Sequence, residues 1–176
     1  MNTTLLIPSD DLKKYGLVSD NVDVSYINPC ILQCQDVDLQ QLIGTKLYKR
    51  LLTEIESREA DPENYVIPEA YSILLSDYVE PYLMQKTQSI MCIAGYAQIR
   101  NNGMSIPTGE HDDKASLNES IYLKNYFEST ARFYSERLIK YLKANCSLYP
   151  EFHDYDSCAD MRPTDTSNYR VGIVLD

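Results

Sequence analysis

The chain has 176 residues, a formal net charge of −10 and a hydrophobic fraction of 44%. That length suits one domain able to bury a core without disulfide staples. The acidic balance excludes the basic footprint that grips nucleic acid. Fifteen Tyr, three Phe and no Trp make Tyr the main aromatic, a side chain suited to half-buried faces and interfaces because its ring is apolar and its hydroxyl seeks a partner.

The opening MNTTLLIPSDD is too short and polar for a secretory signal, and no run approaches the ~18 apolar residues of a membrane span. Five irregularly spaced cysteines, Cys30, Cys34, Cys92, Cys146 and Cys158, form no disulfide framework, so the chain reads as reduced, with no membrane partner. Ser9 is the expected cap of a short helix from Asp10 to Tyr15, stopped by Gly16. Asn28-Pro29 is the expected start of a second helix, with Asn as cap and Pro in the first position, closed by Gly44. A third covers Lys46 to Arg58, with Leu47, Leu51, Leu52 and Ile55 as its apolar stripe. Glu59 to Ile67 reads as loop.

Pro68 restarts a helix, which Pro81 should end or kink. The apolar residues from Tyr82 to Ile99 predict a central helix, with Gly95 at a close crossing and Asn101-Asn102-Gly103 as its stop. Residues 104–115 read as a polar loop or small hairpin. Ser116 and Glu119 have capping-box spacing, and the helix they start runs to Ala144 as the longest in the chain. Its apolar residues exceed one packing face. Leu123, Tyr126 and Phe133, with Arg137 from a basic group toward the helix end, are the candidate oligomer interface.

After Asn145 the helical period ceases. Residues 146–176 hold six acids against two basic residues, and Tyr169, Val171, Ile173, Val174 and Leu175 lie in a stretch of strand character. A lone strand in a helical protein adds to a partner's sheet or packs as an extended arm; a partly disordered tail is the alternative. The fold expected is therefore all-α: a bundle of about five helices over residues 1–145, followed by an extended C-terminal arm over 146–176 containing a short β-strand.

Catalytic chemistry finds little support. Cys30 and Cys34 share a helix face without further ligands at zinc spacing and read as small buried hydrophobes. His111 and His153 read as solvated residues beside acids. Glu110, Asp112 and Asp113 lack the alternating order of a calcium loop. Phosphate-cradle and nucleophile-elbow motifs are absent. No catalytic, cofactor or metal residues are expected, and the chain reads as a non-enzyme.

Four segments carry a resemblance: Asp36 to Tyr48 (DVDLQQLIGTKLY), Tyr71 to Leu83 (YSILLSDYVEPYL), Arg100 to Met104 (RNNGM) and Phe133 to Leu142 (FYSERLIKYL). In this order they resemble the head–tail connector (adaptor, or neck ring) proteins of tailed bacteriophages, nearest the version in crAss-like phages. The likeness spans roughly residues 5–150 and rests on segment order, with no catalytic fingerprint. It implies a structural virion protein made in the host cytoplasm: a homo-oligomeric, dodecameric ring under the portal protein, offering a platform to other neck and tail proteins. DNA would pass through its channel without specific binding. The resemblance also implies that the strand-like residues 169–175 dock on the portal. A tail-completion or stopper protein, and a cellular helical interaction module, are the other readings the sequence leaves open.

Overall fold

The computed structural model describes residues 3–95, 98–100, 103–105, 116–153 and 161–163. They are mainly helical. Helix α1 (Ser9–Tyr15) starts from Pro8 as its cap, so Ser9 is the first helical residue and not the cap expected of it. Helix α2 (Val24–Gln33) begins well before Asn28, because the Asp23 carboxylate accepts a hydrogen bond from the Ser25 N–H at 2.7 Å. Pro29 therefore lies inside the helix. The cap outweighs proline's preference for the first turn, since it satisfies an otherwise unpaired amide.

Among the described residues, two π-helical turns interrupt the helices. The first, Cys34–Leu39, joins α2 to α3 (Gln40–Ile43). The second, Leu75–Val79, joins α5 (Glu69–Leu74) to α6 (Glu80–Ala94). At the second turn the Glu80 N–H reaches back five residues to the Leu75 carbonyl. This wider turn takes up the discontinuity that Pro81, which has no N–H, imposes on the ladder. The helical path thus continues through Pro81.

Helix α4 (Thr45–Ala60) follows a sharp corner at Gly44, whose φ of 82° suits glycine alone among the common residues. Its stripe of Leu47, Leu51, Leu52 and Ile55 is buried as the spacing predicts. Beside it the Glu54 carboxylate, also buried, accepts the Tyr65 hydroxyl at 2.6 Å and pairs with Arg50.

Helix α6 ends at Ala94, short of Ile99; Gln98–Arg100 (β1) instead pairs antiparallel with Gly103–Ser105 (β2), two residues further on. The helix therefore stops well before the expected Asn-Asn-Gly, whose Gly103 begins β2. Gly95 does mark a close crossing: a Cβ there would lie 3.2 Å from the Tyr26 hydroxyl of α2.

Helix α7 (Leu117–Ala144) is closed at its start by the capping box of Ser116 and Glu119. It packs most extensively on α6, burying Phe127, Ala131, Leu138, Ile139 and Leu142. A four-residue helix α8 (Pro150–His153) returns to α4. Tyr149 and Phe152, counted with the arm in the sequence reading, are buried in the core; the helical domain thus extends past residue 145. Periodicity missed them because each is one inserted side chain in a stretch without repeat.

Candidate functional site: the outer face of the long helix

A helix advances 100° per residue, so Tyr122, Tyr126, Phe133 and Arg137 fall in one sector of about 60° on α7, opposite the side that packs on α6. Tyr122 is 77% exposed, Tyr126 56% and Phe133 63%. Aromatic rings in water contribute nothing to their own core, and these three line up along one side of the helix, with Ser129 and Thr130 between Tyr126 and Phe133. Two of the three rings lie edge-to-face with the next residue's ring, Tyr126 with Phe127 and Phe133 with Tyr134, which couples them to the packed side of the helix.

Of the residues assigned to an interface by sequence, Tyr126, Phe133 and Arg137 are brought together here. Leu123 lies about 40° beyond Arg137 around the helix, nearer α6, and shares with Tyr122 an apolar depression that Cys92, Asn118 and Glu119 also line. Tyr122 was the residue missed; its spacing of four from Tyr126 was the signal. The Arg137 guanidinium lies over the Tyr78 ring at 4.8 Å, and Tyr78 stacks on Tyr141 at 3.9 Å. Arg137 thus borders this line of rings while its planar group is held within its own chain by cation–π attraction.

That stack continues into a tyrosine hub. Tyr149 donates its hydroxyl to the Ala70 carbonyl at 2.7 Å, so the Tyr141 hydroxyl, 3.1 Å from it, is the donor to Tyr149. Tyr71 donates to the Glu151 carboxylate at 2.9 Å, with Arg50 over its ring. Burial pushes the Tyr71 phenol above its usual range, and the Glu151 carboxylate adds to this; both keep it a donor at neutral pH. The hub fixes α5, α7 and α8 to one another and so sets the pitch of the aromatic strip.

An ion network does the same at mid-bundle. Lys86 of α6 lies 3.2 Å from Asp38 and 3.2 Å from Glu128, which also receives Lys124 at 3.0 Å. The Lys124 hydrogen bond is the largest cause holding the Glu128 carboxyl below its ordinary value, with Lys86 adding to it.

A second place bears on the expected C-terminal arm. The segment Met161–Pro163 lies against the Gly44 corner: the Thr45 N–H donates to the Met161 carbonyl at 3.1 Å, and the Met161 N–H donates to the Thr45 hydroxyl at 3.0 Å. A Cβ on Gly44 would meet Pro163 at 2.7 Å. Residues 164–176 therefore start from a fixed corner at the head of α4. The strand-like candidates Tyr169, Val171, Ile173, Val174 and Leu175 lie outside the described residues, as do His111, Glu110, Asp112, Asp113 and Cys158.

Cys30 and Cys34 are buried, and burial pushes the Cys34 thiol up to about 12. Among the described residues, no cluster of three His, Cys, Asp or Glu is placed to hold a metal ion, and no helix is long and apolar enough to cross a membrane.

These features define a class first: a mainly helical domain whose distinguishing surface is a line of exposed aromatic rings. The profile of DUF6712, a family of unknown function, matches residues 39–162, more than half of the chain, and the chain belongs to that family. The matched region runs from the first π turn to the segment that docks on Thr45. No curated protein and no solved structure matches the chain.

Proposed function

We propose that this protein is a subunit of a head–tail connector ring in a tailed bacteriophage, seated under the portal. The observation that carries the reading is the line of Tyr122, Tyr126 and Phe133 on the solvent side of the longest helix. A monomer gains nothing from three aromatic side chains in water, whereas a contact repeated around a ring gains their burial at every copy. The strip packs on a different face of the next copy, since head-to-tail contacts close rings. The net charge of −10 suits a channel wall that DNA passes without releasing counterions into phosphate contacts.

In this reading residues 164–176 form the arm that docks on the portal, starting from the Gly44 corner where Met161 is anchored. The protein works in the neck of the virion, in about twelve copies if the ring matches the portal symmetry that the resemblance implies. The protein is a scaffold and not an enzyme. The test is capture by purified portal protein of the same virus. The full chain is expected to bind and to form rings there; a chain ending at Pro163 should keep its helical circular dichroism and lose portal binding. Undiminished binding by the shortened chain would refute the arm, and failure of the full chain to bind portal would refute the reading.

A further inference from the structure

The amino-terminal strap, residues 3–17, is docked on the bundle in the manner of a bound peptide. Its first part, ahead of α1, is held by a side-chain amide. The Gln35 side chain, fully buried on the first π turn, accepts the Leu6 N–H at 3.1 Å and donates to the Thr4 carbonyl at 2.8 Å. These are the two groups that a neighbouring strand would take. Thr4 also donates its hydroxyl to Glu56 of α4. At the far end Gln88 of α6 accepts the Leu17 N–H at 2.7 Å, its own amide N–H being given to the Met84 carbonyl.

Between the two glutamines only Leu6, Ile7 and Leu12 are buried. Three anchoring side chains and two amide clamps are the attachments of a peptide in a groove, not of a bundle layer. At the end of the strap Tyr15 and Leu17 stand in solvent, although a closing loop needs no large apolar side chain there. The family match begins at Leu39, so the strap lies outside the region the family shares.

Resting on the self-association proposed above, we propose that each copy donates this strap to the groove of the next copy in the assembly. Every groove is alike, so exchange conserves the Gln35 and Gln88 clamps and the burial of Leu6, Ile7 and Leu12. The connection from Val18 to Asp23, about 20 Å when extended, reaches a neighbour whose α6 lies close. Tyr15 and Leu17 are then covered where the two copies meet.

The experiment uses the full chain with Cys146 and Cys158 replaced by Ser. Chains carrying Thr4→Cys are mixed with chains carrying Glu56→Cys, concentrated, and treated with a short bis-maleimide, while sedimentation records whether copies associate. A second pair leaves the Gln35 clamp unsubstituted: Leu17→Cys chains that also carry Cys92→Ser, mixed with chains keeping Cys92, which lines one groove with Leu17. Cross-links between different chains, at least tenfold above those in a dilute monomer control, are expected for both pairs. Association without cross-links between the mixed chains, while a control chain carrying both Thr4→Cys and Glu56→Cys cross-links within itself, overturns the exchange and leaves the ring reading standing. A chain that stays monomeric when concentrated overturns the exchange together with the self-association beneath it.

Discussion

Tyr149 shows how much one side chain can hold outside any regular pattern. Its ring is buried, and its hydroxyl links Ala70 to Tyr141. Tyr149→Phe leaves the Ala70 carbonyl and the Tyr141 hydroxyl without this partner, at a cost of about 0.5–1.5 kcal/mol; Tyr149→Ala adds a cavity and should cost about 3–5 kcal/mol. Urea midpoints of the two variants check both values. The abundance of tyrosine was legible in the sequence, but its division was not. Tyr48, Tyr71 and Tyr149 bury their rings and give their hydroxyls to Asp36, Glu151 and Ala70, whereas Tyr122 and Tyr126 face water. Composition cannot separate them, because the ring suits either place and the partner of the hydroxyl is remote in sequence.

The thiols divide on the same principle. With its pKa pushed up to about 12 by burial, Cys34 remains a protonated, unreactive thiol at neutral pH. Cys146 is exposed. A thiol reagent at pH 8 should label Cys146 within minutes and Cys34 only on unfolding, as read by peptide mapping. The reading of Cys30 and Cys34 as small buried hydrophobes needed only their shared helix face, and both are buried.

At the scale of elements, the corners carry the strongest constraints. Gly44 combines a positive φ with Pro163 packed against the place a Cβ would occupy. Gly44→Ala should lower stability by about 1–3 kcal/mol through backbone strain, measured by chemical denaturation. It should also speed hydrogen exchange of the Met161 amide. Glycine as a helix stop was legible at Gly44; that a segment more than a hundred residues later lies on it was not, since no local pattern encodes a long-range contact.

Helix existence was legible from apolar spacing and from the Ser116–Glu119 box. Boundaries were less so where two signals competed, as at Asp23 against Asn28-Pro29. The π turns were not foreseen at all: no residue type or spacing in the sequence marks a turn closed by i→i+5 bonds.

The Lys86 network belongs to the same scale because it ties α6 to α7 and to the first π turn. The folded-state pKa of Glu128 is lowered, so its contribution is present above the unfolded value of about 4.3 and is lost as pH falls through the lower folded value. A series of urea midpoints from pH 6 to pH 3 should show the wild type losing stability in that acid window. Glu128→Gln should be less stable at pH 6 and show a flatter acid limb. The small exposed-pair worth of such bridges keeps the effect modest.

For the whole molecule, the sequence disclosed more apolar helical surface than one small bundle hides, and it placed Tyr126 and Phe133 on that surplus. It could not show that Leu123 lies toward the α6 side of them, since a helix of this length offers several apolar sides and only the position of α6 decides which is covered. Phe133→Asp should leave the melting temperature nearly unchanged, a surface substitution being worth about 0.5 kcal/mol or less. It should also abolish self-association in sedimentation. A large loss of monomer stability instead would place Phe133 in the core.

The proposed ring subunit is tested most directly by negative-stain imaging of the full chain incubated with the portal protein of the virus it is proposed to belong to. Closed rings of this protein stacked coaxially on the portal, absent with Phe133→Asp, are the predicted result. Bare portals beside a chain that remains monomeric would contradict it.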